Sequence, residues 1–450
     1  MDDTITAIGT MVGEASISII RISGDKSLDI IDKIFSKKSK SFESHSINYG
    51  FIKSNDTIVD EVLVSYMKAP KTFTGEDVIE INCHGGVLIT NKILELVLKN
   101  GARMAQPGEF SKRAFLNGKM DLIKAESIMD MISATSEKAL KISTKGLTNK
   151  ISNSINNLRE ELVQILGTIE VNIDYPEYDD VDVMTNQLLL PKIQKIKTDL
   201  EKIIKNSKSV NLAKKGIDVA LIGEPNVGKS SLLNALVDEE KAIVTDIAGT
   251  TRDIIEGSVL IDGLRLNILD TAGIRKTDNL IEKIGIEKSI EISKKADLII
   301  YMLDNTVNNT KEALDFIENN LYKKVILVVN KTDLENSLDK SIIEKYNPIY
   351  ISAKDNIKIE KLKTKISETF RMDFLESEDA FYVTNINNLV KLKECLTLTE
   401  SVIGQIYSND FIDMIAIDIR KIWYILGSIT GEVYDGELLD NIFKNFCLGK

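Results

Sequence analysis

The sequence predicts a multidomain chain of α/β plus α class. Three observations predict it. Strand and helix patterns interleave up to about residue 118. Helical periodicity takes over at 119 and returns after 375. Between the two helical stretches, residues 217–236 run strand, glycine-bounded loop, helix, which is the context a phosphate-binding loop needs. At 450 residues the chain has length for roughly three domains with ample cores.

In the first region Ile17–Ile22 reads as a strand behind a loop holding Gly9 and Gly13, with Arg21 between Ile20 and Ile22. Asp29–Ile34 looks helical, Ile47–Ile52, Asp60–Met67 and Val78–Asn82 read as strands, and Leu88–Leu98 as an amphipathic helix. A small α+β domain over 1–118 is expected. Beyond it, Leu122, Ala125, Ile128, Met129 and Ile132 share one helical face, and Ile151, Ile155, Leu158, Leu162, Ile165 and Ile169 share another. Ile193, Ile196, Leu200, Ile203 and Ile204 repeat the pattern after Pro191. The acidic stretch Asp174–Asp182 is expected to be a solvated loop. Val390–Ile406, Ile412–Leu426 and Leu438–Phe446 are helical again. The economical reading is one discontinuous helical domain, 119–214 plus 376–450, with an α/β nucleotide domain inserted at 215–375.

The inserted domain carries the chemistry. Gly223 to Ser230 spells G-x-x-x-x-G-K-S after the apolar run Val219–Ile222. Its glycines let successive N–H groups face one anion, and the following helix adds its positive end. Lys229 is expected on the β- and γ-phosphates and Ser230 on Mg²⁺. Asp270-Thr271-Ala272-Gly273 follows the strand Arg265–Leu269, where the carboxylate can hold Mg²⁺ through water and the Gly273 N–H can meet the γ-phosphate. Asn330-Lys331-Thr332-Asp333 follows Val325–Val329. Its Asp accepts two hydrogen bonds from guanine, a donor pair that adenine lacks, and such a site discriminates by about 10⁴–10⁵. Ser352-Ala353-Lys354 follows Ile349–Ile351, placing the Ala353 N–H on the guanine O6. Four motifs in this order, each behind a strand, point to a GTPase. The segment Val244–Asp253 lies between the first two motifs and offers Thr251 as a second Mg²⁺ ligand on a switch. The position after the D-x-x-G glycine is Ile274, which cannot orient water. Arg275 and Glu282 are the nearby polar candidates, and Asn226 could hold a monovalent cation that neutralises charge developing in transfer.

Net charge is −11, which argues against a chain that grips nucleic acid unaided. Three cysteines, Cys83, Cys395 and Cys447, form no disulfide framework, so a reducing, cytoplasmic compartment is expected. Two histidines argue against a histidine-built zinc site. No apolar run reaches the ~18 residues of a membrane span.

Gly249-Thr250-Thr251-Arg252-Asp253, Asp270–Gly273 and the final Cys447-Leu448-Gly449-Lys450 resemble the MnmE (TrmE) family of bacterial tRNA-modification GTPases. So do Arg21–Gly24, Phe73–Glu80, His84-Gly85-Gly86 and Pro107–Lys119. The resemblance covers essentially the whole chain. It implies an N-terminal domain that resembles tetrahydrofolate-binding modules and drives homodimerisation, and a discontinuous helical domain carrying a Ras-like P-loop G domain. It also implies a partner, an MnmG-like flavoprotein using FAD and NADH, with which carbon 5 of a tRNA wobble uridine gains an aminomethyl or carboxymethylaminomethyl group. The carbon would come from a 5-formyl- or methylene-tetrahydrofolate, and potassium would stimulate GTP hydrolysis.

Carried over by motif, Asn226 and the backbone of Thr245, Ile247 and Thr250 would ligate K⁺, and Glu282 would orient water. GTP would be held by Asn226, Val227, Gly228, Lys229, Ser230 and Ser231, by Thr245, Asp246, Ile247, Ala248, Gly249, Thr250 and Thr251, and by the three later motifs. Folate contacts would come from Arg21, Glu80, Lys119 and Lys450, and Cys447 is a candidate functional thiol. The sequence departs from the family in its first loop, Thr10–Ser16, and at Asn387-Asn388. The rival reading is a ribosome-assembly GTPase, which shares the G motifs but lacks the folate-type domain and usually carries basic appendages.

Overall fold

β-Branched residues at alternate positions build the first sheet. In Ile20, Ile22, Val62, Val64, Ile79 and Ile81 they point to one face and are buried, while Arg21, Glu80 and Asn82 point to the other. The computed structural model describes residues 3–174, 186–237, 258–269, 292–308, 310–320, 323–371, 381–408, 411–434, 436–444, 446 and 449. The chain divides into two compact units, one of Met1–Met129, Gly146–Thr198 and Lys391–Lys450, the other of Asp130–Lys145 and Asp199–Val390.

The first unit holds a six-stranded sheet of β1 (Ile5–Ile8), β2 (Ala15–Ser23), β3 (Ser46–Ser54), β4 (Thr57–Met67), β5 (Val78–Gly85) and β6 (Arg103–Met104). Their order across the sheet is β3-β4-β5-β2-β1-β6. β2 and β5 are antiparallel, which sets Arg21 opposite Glu80. Helices Ser27–Ile34 and Val87–Lys99 supply Ile30, Ile31, Ile34, Ile93 and Val97 to the core on the apolar face.

An ionic cluster forms around one buried arginine of this region. Arg113, on helix Glu109–Leu116, has a side chain only 1% exposed. It donates to the Asp3 carbonyl at 2.8 Å, to Asp3 Oδ1 at 2.7 Å, to Glu76 at 3.0 and 3.2 Å and to Glu109 at 3.2 Å. Arg103 adds a two-pronged grip on Glu109 at 2.9 and 2.5 Å. Ser23 donates to Glu76 at 2.7 Å.

The rest of this unit is helical. Helix Lys150–Asp174 buries Ile155, Leu158, Leu162, Ile165 and Ile169, and Ile412–Thr430 buries Ile415, Ile419, Ile422 and Ile429; the two helices pack together. They bring together sequence from either side of the phosphate loop. Arg159 lies 4.6 Å over the Trp423 ring and pairs with Glu432. Phe115, Leu122 and Ala125 share a second core with Leu439, Phe443 and Phe446 near the C-terminus. Helix Asn186–Lys215 holds Pro191 inside it, so it begins before that proline. The ring removes one backbone hydrogen bond there.

The second unit carries a sheet of order β12-β11-β10-β7-β9-β8. Its strands are β7 (Ile217–Gly223), β8 (Ser258–Ile261), β9 (Leu264–Leu269), β10 (Leu298–Asp304), β11 (Lys324–Asn330) and β12 (Ile349–Tyr350). All neighbouring pairs are parallel except β8 with β9. β7 lies between β9 and β10, so chain connections run to opposite sides of it. Ligands of such sheets bind beyond the carboxyl ends of the strands at this reversal. No helix among the described residues is long and apolar enough to cross a membrane.

Candidate nucleotide site

β7 delivers the phosphate loop and helix Lys229–Val237 receives it. Gly223 sits against β10, where a Cβ would lie 2.4 Å from the Met302 carbonyl oxygen. Asn226 (φ 62°) and Gly228 (φ 100°) turn the loop through left-handed conformations, and a Cβ on Gly228 would lie 2.2 Å from Asn330 Nδ2. Lys229 Nζ donates to the carbonyls of Gly223 at 2.7 Å and Glu224 at 2.9 Å, so its ammonium lies across the loop. Burial pushes the Lys229 pKa down, leaving a poorly solvated cation that an anion would stabilise. Val227 is buried, while Asn226, Ser230 and Ser231 are exposed at the helix start.

The later motifs converge on this loop from the ends of β11 and β12. Asn330 is buried and bridges two loops with one amide. Its Nδ2 donates to the Val227 carbonyl at 2.8 Å, and its Oδ1 accepts from the Ala353 N–H at 2.9 Å. Lys331 has φ 64° and its Nζ pairs with Asp304 at 2.6 Å. Asp333 is exposed, and the Ser352 hydroxyl holds its carboxyl below the usual carboxylate range. An ionised carboxylate only accepts, which suits a ligand edge presenting two N–H donors. Ser352 is fully buried and bonded to Asp355, and Lys354 is exposed.

The structure therefore gathers Asn226, Val227, Gly228, Lys229, Asn330, Lys331, Asp333, Ser352 and Ala353 at one end of one sheet. Thr245, Asp246, Ile247, Ala248, Gly249, Thr250, Thr251, Asp270, Thr271, Ala272, Gly273, Ile274, Arg275 and Glu282 lie outside the described residues. The sequence reading missed Asp304. Its signal was the strand Leu298–Asp304, seven buried residues ending in a carboxylate.

In the other unit, Arg21 Nε donates to Glu80 Oε1 at 2.8 Å and Arg21 Nη1 to the Gly449 carbonyl at 2.8 Å. The Arg21 guanidinium lies 5.7 Å from the Phe110 ring centre. Lys119 is exposed with its stem against Gly75, where a Cβ would lie 3.0 Å from Lys119 Cε. Cys447 and Lys450 lie outside the described residues, as does most of Asp174–Asp182. Among the described residues no group of three or more His, Cys, Asp or Glu could hold a metal ion.

Two family models match the chain. The family model "GTP-binding protein TrmE N-terminus" matches residues 4–119, and "MnmE helical domain" matches residues 122–447. A tRNA modification GTPase MnmE of Streptococcus mutans is 46% identical, covering 100% of this chain and 99% of that protein. The protein of the same name from Bacillus licheniformis is 43% identical, covering 100% of both. Among solved structures, Era in complex with MgGDPNP and a stretch of 16S ribosomal RNA is 30% identical, covers 34% of this chain and 56% of that chain, and has a TM-score of 0.26. With both family models matched and full-length relatives above 40% identity, the chain belongs to the MnmE (TrmE) family of tRNA modification GTPases.

Proposed function

We propose that this chain binds and hydrolyses GTP in the course of tRNA modification. The observation that carries the reading is Asn330, whose single amide links the phosphate loop at Val227 to the Ala353 N–H, beside the ionised Asp333. Guanine would lie against Asp333, its acceptor, and beside the Ser352-Ala353-Lys354 loop, whose Ala353 N–H is engaged by Asn330 Oδ1 in this structure. The phosphates would lie over the loop N–H groups of 226–231 at the helix start, with Lys229 neutralising charge that develops in transfer. Ser230 is exposed beside Lys229, which fits a Mg²⁺ ligand, and Thr251 would be the second. Mg²⁺ would neutralise phosphate charge there.

Asn226 is exposed with its left-handed backbone, which fits a K⁺ ligand together with Thr245, Ile247 and Thr250. Thr245–Thr251 and Asp270–Gly273 would surround the γ-phosphate, with Glu282 orienting water and Arg275 nearby. In the N-terminal region, Arg21 and Glu80 form a cation–carboxylate pair that suits a folate's glutamate tail and pterin N–H groups, with Lys119 and Lys450 as further cations. We assign the domains as 1–118, 119–214 with 376–450, and 215–375. The chain would act in the cytoplasm as a homodimer with an MnmG-like flavoprotein that supplies FAD and NADH chemistry. A tetrahydrofolate derivative would supply the carbon for the wobble uridine, and Cys447 stands as a candidate thiol.

Mass spectrometry of tRNA nucleosides from cells lacking the protein tests the substrate. Loss of uridines substituted at carbon 5, restored by the wild-type chain and not by Lys229→Ala, is the expected result. An unchanged nucleoside profile removes tRNA from the proposal.

A further inference from the structure

The turn after β10 offers a carboxylate that the GTP reading has left without a task. Asp304 is buried, its side chain 10% exposed, and its two oxygens face different partners. Oδ1 accepts from the Thr306 N–H at 2.9 Å and the Thr306 hydroxyl at 2.7 Å, closing a small side-chain turn. Oδ2 reaches Lys331 Nζ at 2.6 Å. Burial works against this carboxylate's charge, yet Lys331 and the Thr306 donors outweigh it and hold the carboxyl below its usual range. The adjoining Asn305 fixes the same two segments through its backbone and amide. Its N–H donates to the Asn330 carbonyl at 3.0 Å, its carbonyl accepts from Ser337 N–H at 2.8 Å, and its Nδ2 donates to the Leu334 carbonyl at 3.2 Å. The main chain of the Asn330–Asp333 motif is thus held without help from the Asp304 charge. What Asp304 adds is a fixed end for the Lys331 side chain, whose other end is fixed by its left-handed backbone at φ 64°.

We propose that Asp304 is a positioning residue of the base site: it tethers the Lys331 ammonium so that the lysine's four-carbon stem stands extended, as an apolar wall for the flat face of guanine. A lysine stem is apolar along its length and covers flat apolar surfaces well, but left free it carries considerable rotamer entropy. Anchoring the ammonium removes that loss from the binding step. The inference rests on the guanine-site reading given above.

Asp304→Asn separates the tether from the turn. The amide oxygen can still accept both Thr306 bonds, but its Nδ2 cannot accept from an ammonium. Fluorescent N-methylanthraniloyl-GDP is titrated into the full-length chain with Mg²⁺ for wild type, Asp304→Asn, Lys331→Met and the double variant. Each single variant should raise Kd by about two- to tenfold, as expected when the lysine stem must be ordered in the binding step. The double variant should be no weaker than the weaker single, because both changes cut one tether. The thermal midpoint of nucleotide-free Asp304→Asn should stay within ~2 °C of wild type, which a brace of the fold would not allow. Wild-type affinity in Asp304→Asn, or additive losses in the double variant, overturns the proposal. If Asp304→Asn does not fold, Lys331→Met decides alone, and wild-type affinity there also overturns it. Competition by unlabelled GDP and ADP tells the two levels apart. A wild-type chain that does not prefer GDP sinks the guanine site itself. A wild-type preference for GDP alongside unchanged variant affinities sinks only the tether.

Discussion

Replacing Arg113 by Met tests whether the N-terminal region depends on its ionic cluster. Methionine is unbranched and fills most of the same space, so the loss is of charge and hydrogen bonds rather than volume. Arg113 makes five hydrogen bonds to three carboxylate residues. Glu109 retains Arg103 at 2.9 and 2.5 Å and the Gln106 N–H at 2.8 Å, and Asp3 retains Arg103 at 2.5 Å. Glu76 is left with Ser23 at 2.7 Å and no cation among the described residues. Removing one partner of a buried ion pair costs 3–5 kcal/mol, and because two of the three carboxylates keep Arg103 we place the loss at the low end, about 3 kcal/mol. At 1.36 kcal/mol per decade this is roughly a hundredfold in local opening.

The assay is native-state hydrogen exchange of β1, β2 and Glu109–Leu116, since the lone tryptophan, Trp423, is far away in sequence and fluorescence would report on other helices. The pH dependence adds a second check. The Asp3 carboxyl is held down first by Arg103 and then by Arg113, and the arginines and the Gln106 N–H outweigh burial to hold Glu109 down. Depressed carboxyls stabilise fully above their unfolded pKa, near 4, and lose this as pH falls through the lower folded values. The gap between wild type and Arg113→Met should therefore narrow in acid, as the carboxylates lose their charge. Protection within twofold of wild type at neutral pH, or a gap that does not narrow in acid, would refute the reasoning.

Gly228→Ala should abolish measurable GDP binding in calorimetry, because its φ of 100° is strained for alanine and the added Cβ would lie 2.2 Å from Asn330 Nδ2; retained affinity would mean the loop relaxes freely. Asp333→Asn should lower the preference for guanine over adenine nucleotides by at least a hundredfold, from two lost charge-assisted bonds, and an unchanged competition ratio would count against base recognition there. GTP hydrolysis should run well faster in K⁺ than in Na⁺, and equal rates would remove Asn226 as a cation ligand. Burial pushes the Cys395 thiol up to about 12 and raises Cys83 as well, so peptides carrying either should escape iodoacetamide at pH 8 in the folded chain and react after denaturation.

Period-two alternation made β2 through β5 legible, because those strands bury one face only. β1, Ile5–Ile8, was not legible: four residues, all buried, show no alternation to read. β10 was hidden for the same reason, since all seven of its residues are buried and a short apolar run fits strand or helix equally. Phosphate-loop and guanine motifs could be read because fixed chemistry demands fixed spacing. Asp304 has no such spacing, and its task exists only once β10 and β11 pair and bring it to Lys331. In sequence Arg21 is a charge between two isoleucines, and only the β2–β5 register sets it opposite Glu80. Arg113 sits inside a stretch notable for its family likeness, yet nothing local says that its guanidinium is buried among carboxylates from three separate segments.

The Asn330 amide has a consequence for how the site weighs its ligand. One hydrogen bond from it steadies the loop for the phosphates and another steadies the loop for the base. Whatever stiffens one loop has already met part of the entropy of stiffening the other. A nucleotide spanning both would then bind more tightly than its base and its phosphates taken separately suggest, a chelate effect written into a single side chain. Ordering of the phosphate loop would in this way favour ordering of the base loop.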